Sequence, residues 1–144
     1  MLTVERGVVI KRPIEQVFAF VANFENEPQY NPSLLSMRKT SPGAIGLGTT
    51  WQEEVRLAGT HDRTVTIYEP HHTLVYQNDR RPFPVEITFR FAPVPGGTLL
   101  TASPPLRFSL AASSNWEHPC FTCFCPNSLR ELSAISRRFS KLSL

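Results

Sequence analysis

The sequence lacks any apolar run of the roughly 20 residues that a membrane-spanning helix needs, and its N-terminus lacks the apolar run of a signal peptide. It is also poor in cysteine. Its three cysteines, Cys120, Cys123 and Cys125, lie close together, unlike the spaced, even-numbered cysteines of a secreted disulfide framework. Together these absences predict a cytoplasmic protein without integral membrane association.

A concentrated charge of one sign is also missing. The 15 Lys and Arg residues exceed the 12 Asp and Glu residues by a formal net charge of only +3, and they are spread along the chain except for a short run at Arg137, Arg138 and Lys141. A nucleic-acid surface needs basic residues clustered on one face with aromatic or base-reading partners. We therefore interpret the basic residues as a solvated surface and expect no nucleic-acid partner.

What the chain does have is the composition of one globular domain. Hydrophobic residues make up 41% of its 144 residues and charged residues 19%, which is too apolar for intrinsic disorder. A chain of this length buries roughly two thirds of the surface that its unfolded form exposes. A single domain over residues 1–144, with a sizeable core, is the expectation.

The first third of the chain predicts a strand and one or two helices. Residues 3–11 alternate as in a strand, and Pro13 suits the first position of a helix because the N–H it lacks would be unpaired there. Residues 23–32 predict a short second helix or turn that closes one end of the domain. The residues expected to face the core are Val4, Val8 and Ile10 on the strand, and Ile14, Val17, Phe18 and Val21 on the helix.

The period then falls to two, which is typical of antiparallel strands with one buried face. Six runs separated by turn residues predict strands over 34–40, 49–57, 63–68, 73–78, 85–91 and 98–102. The expected inward residues are Trp51, Val55, Leu57, Val65, Ile67, Leu74, Tyr76, Val85, Ile87, Phe89 and Phe91. Residues 127–144 return to a helical period, with an apolar stripe of Leu129, Leu132, Ile135, Phe139 and Leu142.

Short stretches of sequence in this same order resemble the polyketide cyclase and dehydrase branch of the START-like (SRPBCC, Bet v 1-like) superfamily. They follow the opening strand as RPIEQVF at 12–18, NFENEPQYNP at 23–32, GLGT at 46–49, YEP at 68–70 and FAPVPGGT at 91–98. The family commonly has Trp where Tyr30 stands. The resemblance implies an α+β helix-grip fold, in which a curved antiparallel sheet holds the C-terminal helix across it. It also implies a cavity between them for lipids, polyketides or other hydrophobic ligands.

The resemblance fails over residues 103–126. Two adjacent prolines, Pro104 and Pro105, do not fit the middle of a sheet, and the segment continues with a Ser-rich stretch and the three cysteines. We interpret this segment as an insertion or a reading-frame disturbance that shortens the C-terminal helix. An intact frame in the encoding DNA, shared with related proteins, would contradict that hypothesis.

The polar candidates each have an ordinary structural explanation. His118 and the three cysteines lie too close together for the paired ligand hairpins of a structural zinc site, so we predict neither a metal nor a cofactor. His71 and His72 fit surface turn residues. His61 fits either the cavity mouth or solvent, and its neighbour Asp62 would orient it in a general-base role.

Glu53 stands on the inward side of its strand beside Trp51. A carboxylate inside an apolar cavity would be desolvated and would have a raised pKa, as a general acid needs, whereas at a strand end its head would stay in water. Tyr76, Asn78 and Arg80 alternate along one strand and allow either polar atoms in the cavity or ordinary exposure. Glu53, Tyr76 and Arg80 are thus weak catalytic candidates.

Aromatic residues give the strongest indication of a ligand site, because apolar walls with few polar groups are typical of small-molecule pockets. The residues expected to line the cavity are Trp51, Glu53, Val65, Ile67, Tyr76, Ile87, Phe89, Phe91, Ile135 and Phe139. The leading hypothesis is a monomer or homodimer that binds a hydrophobic small molecule. One alternative is an enzyme, a polyketide cyclase or dehydrase that acts as a lyase or isomerase through acid and base groups in the same cavity. The other is a disturbed domain with little function. No unambiguous acid and base pair is visible, which favours binding.

Overall fold

A single antiparallel sheet organises the protein, whose computed structural model describes residues 6–79, 84–103 and 129–141. Within these ranges seven strands lie in the order β1-β7-β6-β5-β4-β3-β2. The strands are β1 (Arg6–Ile10), β2 (Leu34–Lys39), β3 (Thr50–Val55), β4 (Gly59–Glu69), β5 (Thr73–Asn78), β6 (Glu86–Val94) and β7 (Gly97–Ser103). The helices are α1 (Ile14–Ala22), a 3₁₀ helix (Phe24–Gln29) and α2 (Leu129–Lys141). The predicted α+β helix-grip class is confirmed: the sheet is open and curved, with short N-terminal helices and a C-terminal helix.

Helix α1 packs its predicted stripe into the core. Val17, Phe18 and Val21 are buried, and the Phe18 ring meets the Phe91 ring of β6 edge-on with centroids 5.0 Å apart. The helix begins at Ile14, so Pro13 stands directly before it, one residue earlier than the predicted first helical position, and its carbonyl accepts from the Val17 N–H. The alternation on β6 is confirmed as well, because its inward residues are buried.

The 3₁₀ helix brings one aromatic and one acidic side chain to the sheet. Asn23 caps it, with its Oδ1 accepting from the Glu25 N–H at 3.3 Å. A 3₁₀ helix has three residues per turn, so residues three apart share a face. Phe24 and Glu27 are three apart, and both are buried. This helix therefore closes one end of the sheet, as the sequence predicted for residues 23–32.

Helix α2 packs beside β1 through Ile135 and Phe139, one turn apart and both buried. The Phe139 ring lies 4.8 Å from the Phe20 ring of α1, and Arg12 donates from Nη2 to the Phe139 carbonyl at 3.0 Å. No helix in the described ranges combines the length and the apolarity that crossing a membrane requires. Residues 104–128, which include most of the atypical segment, lie outside the described residues, and so do Val4 and Leu142.

Two predicted inward positions are wrong. Leu57 is 92% exposed because β3 ends at Val55 and the chain turns, with Leu57 at a φ of 66°. Ile67 is 43% exposed because the β4–β5 register shifts between Val65 and Ile67. A bulge of this kind inserts one extra residue and reverses the alternation beyond it. Tyr68 consequently packs against Phe18, with ring centroids 5.4 Å apart.

The β6–β7 turn depends on a close approach at Gly97. A Cβ added there would lie 2.0 Å from the Ile10 carbonyl oxygen, which belongs to β1 and cannot move without separating the strands. We expect Gly97→Ala to lower the free energy of unfolding by about 2–3 kcal/mol. Gly96→Ala is the matched control: it meets no atom within 4 Å and faces only the strain of a φ of 85°, roughly 1 kcal/mol. Urea unfolding of both variants checks this, and equal losses would contradict it.

Candidate functional site

A buried ion cluster lies on the concave side of the sheet where the 3₁₀ helix meets β3 and β4. Its cation is Arg63 of β4, which donates from Nη1 to Glu27 Oε2 at 2.5 Å and from Nη2 to Glu53 Oε2. The side chains of Arg63, Glu27 and Glu53 are only 4%, 5% and 1% exposed. One guanidinium thus connects the 3₁₀ helix to the neighbouring strand.

Two amides complete the hydrogen bonding of the carboxylates. Asn78 of β5 donates from Nδ2 to Glu53 Oε1 at 3.2 Å, and Asn31 donates from Nδ2 to Glu27 Oε1 at 3.2 Å. Asn78 is held in turn, since its Oδ1 accepts from the Val85 N–H at 3.0 Å. Both oxygens of each carboxylate therefore have a donor, which offsets part of the cost of burying them.

Aromatic rings cover the guanidinium of Arg63. Its central carbon lies 4.0 Å from the Tyr76 ring centroid and 4.9 Å from that of Phe24. The Phe24 ring also contacts the rings of Tyr76 and Trp51, at 5.0 and 5.4 Å. Arginine in this position gains cation–π attraction from both rings. The rings also keep solvent away from the ion pairs.

The electrostatics of the cluster keep Arg63 charged. Burial on its own would lower the pKa of Arg63, but the negative charges of Glu27 and Glu53 and the Tyr76 side chain outweigh it, and the pKa is raised well above its ordinary value. The carboxylates outnumber the cation by two to one. With both carboxylates ionised, the buried cluster therefore carries a formal charge of −1.

A small cavity opens beside the cluster, with a volume of about 20 Å³. That volume accepts about one water molecule or one group of similar size. Its walls combine the polar cluster with a few apolar side chains. The lining residues are Glu27, Asn31, Ser33, Leu34, Glu53, Val55, Arg63, Tyr76, Asn78 and Val85.

Nine of the ten predicted ligand-binding residues lie in the core: Trp51, Glu53, Val65, Tyr76, Ile87, Phe89, Phe91, Ile135 and Phe139. Among these nine, Glu53 and Tyr76 also line the small cavity. The carboxylate of Glu53 is buried, so the interpretation that placed it in water at a strand end is wrong. Ile67 faces outward beyond the bulge, and Arg80 lies outside the described residues.

Sequence reasoning missed Arg63 and Glu27. Arg63 had a usable signal, since it precedes the inward Val65 by two residues and must share its face of β4. Glu27 had a weaker one, its spacing of three from Phe24. The pairing of the two could not be seen in any local pattern, because 36 residues separate them.

The histidine candidates have contacts of their own. His61 has its Nε2 3.0 Å from the Ala58 carbonyl oxygen, and Asp62, as the next residue of β4, faces the opposite side. His71 packs edge-on against Phe18 with centroids 5.6 Å apart, and His72 is exposed. In the ranges 6–79, 84–103 and 129–141 no three His, Cys, Asp or Glu side chains form a metal-binding group. His118 and the three cysteines lie outside those ranges.

Comparison with known sequences yields one family. Residues 1–118 match the family described as "Polyketide cyclase / dehydrase and lipid transport". This match covers most of the chain and includes the 3₁₀ helix and the three strands that carry the ion cluster. The curated proteins contain no match.

Solved structures share the fold over nearly the whole chain. A START superfamily protein from Mycobacterium smegmatis is 19% identical, with a TM-score of 0.70, over 98% of this chain and 99% of that one. A protein from Mesorhizobium loti is 17% identical, with a TM-score of 0.67, over 99% and 100%. The di-domain ARO/CYC protein BexL, from the BE-7585A biosynthetic pathway, is 22% identical, with a TM-score of 0.63, over 94% of this chain and 49% of that one. At these identities the likeness shows the fold alone.

Proposed function

The chain belongs to the polyketide cyclase/dehydrase and lipid transport family, and on this premise we propose that it binds a hydrophobic small molecule, lipid-like or polyketide-like, between the concave face of the sheet and α2. The family description names activities on largely apolar molecules. A cytoplasmic location and a monomeric or homodimeric state are part of the same proposal.

One observation carries this proposal: among the described residues, a buried polar cluster lies at one end of a concave face that is largely apolar and aromatic. Pockets for small molecules combine apolar walls with a few convergent polar groups that fix the orientation of the ligand. In the proposed complex the cluster receives one polar group of the ligand. The apolar body then lies along the aromatic residues of the neighbouring strands.

The small cavity limits what the cluster receives. At about 20 Å³ it accepts a single polar atom with its hydrogens, and no ring or chain. The body of a ligand must therefore lie outside it, which requires core side chains such as Phe89 to change rotamer on binding. Changes of rotamer at a binding surface are common.

The catalytic alternative, a cyclase or dehydrase that moves protons with Glu53 and Tyr76, receives less support. Both oxygens of Glu53 accept hydrogen bonds, from Arg63 and from Asn78, and the Tyr76 ring covers the guanidinium. A general acid or base must reach the proton that it transfers. Glu53 is committed to its ion pair, so its geometry favours a binding role.

Native mass spectrometry of protein purified without detergent, together with titration of the uncharged fluorophore N-phenyl-1-naphthylamine, tests the binding function. We expect a co-purifying apolar molecule or saturable probe binding. Phe89→Leu, which reduces apolar contact on the concave face, should lower the affinity for the probe by on the order of fivefold. Ile67→Leu on the outer face is the control and should leave it unchanged. A folded protein that is empty and binds no probe would contradict the proposal.

A further inference from the structure

Two buried N–H groups on the concave face have no hydrogen-bond acceptor among the described residues: Nε1 of Trp51 and Nε of Arg63. The residues are only 1% and 3% exposed. They are also direct partners in the β3–β4 ladder, so their side chains share one face and their Cβ atoms are about 5 Å apart. The two unpaired donors therefore come from the same face of two neighbouring strands.

Unpaired donors of this kind favour a molecule that brings an acceptor. A buried N–H without a partner bears the full free energy of its desolvation, and a ligand oxygen that accepts from it recovers that free energy. Arg63 lines the small cavity, whose volume suits one oxygen-sized group. A purely apolar ligand would leave both donors unpaired.

The charge of the cluster restricts which acceptor is suitable. Arg63 is already shared by Glu27 and Glu53, so the cluster carries a formal charge of −1 when both are ionised. A ligand carboxylate would add a further negative charge in a medium of low dielectric constant, where repulsion is strong. A neutral carbonyl oxygen accepts the same hydrogen bonds without that repulsion.

We infer that the site selects hydrophobic molecules with a neutral carbonyl group, as in a ketone, ester or amide, and rejects the corresponding carboxylates. The inference rests on the proposed binding function and names its ligand class. In the complex the carbonyl oxygen accepts from Trp51 and Arg63, and the apolar body contacts the aromatic concave face.

Three ligands of nearly equal shape test this inference by displacement of N-phenyl-1-naphthylamine at neutral pH. They are 2-acetylnaphthalene, which carries a ketone, 2-isopropenylnaphthalene, in which a methylene replaces the oxygen, and 2-naphthoate. We expect the ketone to bind at least tenfold more tightly than either of the others. The comparison uses the unaltered chain, so it does not depend on whether any variant folds.

The substitution Trp51→Phe tests whether the indole N–H of Trp51 causes the preference for the ketone. It removes the indole N–H and keeps an aromatic ring, so the ketone should lose about fivefold in affinity, as expected for one neutral hydrogen bond, while the hydrocarbon changes little. Phe24→Leu is the control, because it alters the same aromatic group without removing a donor and should shift all three ligands together.

The outcomes separate this inference from the function on which it rests. Probe binding with equal affinities for ketone and hydrocarbon would overturn the inference alone and indicate that a water molecule satisfies the two donors. If naphthoate bound as tightly as the ketone, the inference would also be overturned, because the site would not reject a negatively charged ligand. A ketone preference that survives Trp51→Phe unchanged would overturn the assigned donor pair. If neither the probe nor any ligand binds the folded protein, the proposed function itself fails.

Discussion

Replacing Arg63 by alanine is expected to lower the free energy of unfolding by about 3–5 kcal/mol. Glu27 and Glu53 would keep their buried positions but lose their shared cation, and two carboxylates would then face each other across a site with little solvent. The lost cation–π contacts with Tyr76 and Phe24 add to this loss. Because domains of this size are typically stable by about 5–15 kcal/mol, the variant should be close to unfolding.

Urea unfolding followed by circular dichroism measures the effect, with Arg38→Ala as the matched control. Arg38 stands on β2, is exposed, and donates from Nη2 to Gln52 of β3 at 3.1 Å. Removing this exposed arginine should cost no more than about 0.5 kcal/mol. If Arg63→Ala cost as little as Arg38→Ala, the buried cluster would not contribute to stability as its geometry indicates.

A triple variant separates charge imbalance from lost packing. Arg63→Met, Glu27→Gln and Glu53→Gln together remove every formal charge of the cluster while keeping side chains of similar size. Replacing a buried ion cluster by neutral groups is often close to neutral in stability, whereas removing one partner is costly. We therefore expect the triple variant to be more stable than Arg63→Ala. The opposite order would indicate that the contacts of the guanidinium matter more than its charge.

The sequence predicted the strands best where alternation was strict. On β6 the inward set was correct throughout, with Ile87, Phe89 and Phe91 buried, because one face of an antiparallel strand must be apolar when it covers a core. The predicted helix α1 was correct for a similar reason: its apolar residues recur at helical spacing directly after Pro13. Both cases depend on local periodicity alone.

Prediction failed where the geometry depended on a neighbouring strand. Ile67 continues the alternation of β4 in sequence, and only the shifted register against β5 turns it outward. Leu57 continues the alternation of β3, but that strand ends two residues earlier at a turn. Ile67 has no glycine or proline beside it that would mark the bulge, and Gly59 marks the turn only two residues beyond Leu57, so periodicity extended the strand faces too far.

The site was only half predictable for the same reason. Glu53 and Tyr76 could be placed on the concave face from their own strands, but the environment of Glu53 depends on Arg63, Asn78 and Glu27. Whether a carboxylate on a strand is an exposed end group or a buried ion-pair partner is decided by tertiary contacts. Sequence pattern could indicate the face and not the partner.

Replacing Phe24 by alanine is also expected to lower the free energy of unfolding by about 3–5 kcal/mol. Phe24 is 1% exposed and contacts Trp51, Tyr76 and Arg63, so it holds the 3₁₀ helix on the sheet. Phe20→Ala is the control: Phe20 is only partly buried and packs beside Tyr30 and Phe139, away from the ion cluster. Its loss should be clearly smaller in the same urea measurement.

The loss of stability in Phe24→Ala has two possible causes. One is a void in the aromatic group, and the other is a weaker hold on Glu27, which lies three residues along the same 3₁₀ helix. Benzene distinguishes them, because a void bordered by the rings of Trp51 and Tyr76 and by the Arg63 guanidinium can accept an aromatic molecule in place of the lost ring. If the void persists, saturating benzene should raise the melting temperature of Phe24→Ala while leaving that of the unaltered chain unchanged.

If the 3₁₀ helix instead detaches from the sheet, benzene has no site and the variant should lose the coupling between Glu27 and Arg63. Glu27→Gln would then cost much less in the Phe24→Ala background than in the unaltered chain. A small loss with no response to benzene would contradict the packing role assigned to Phe24.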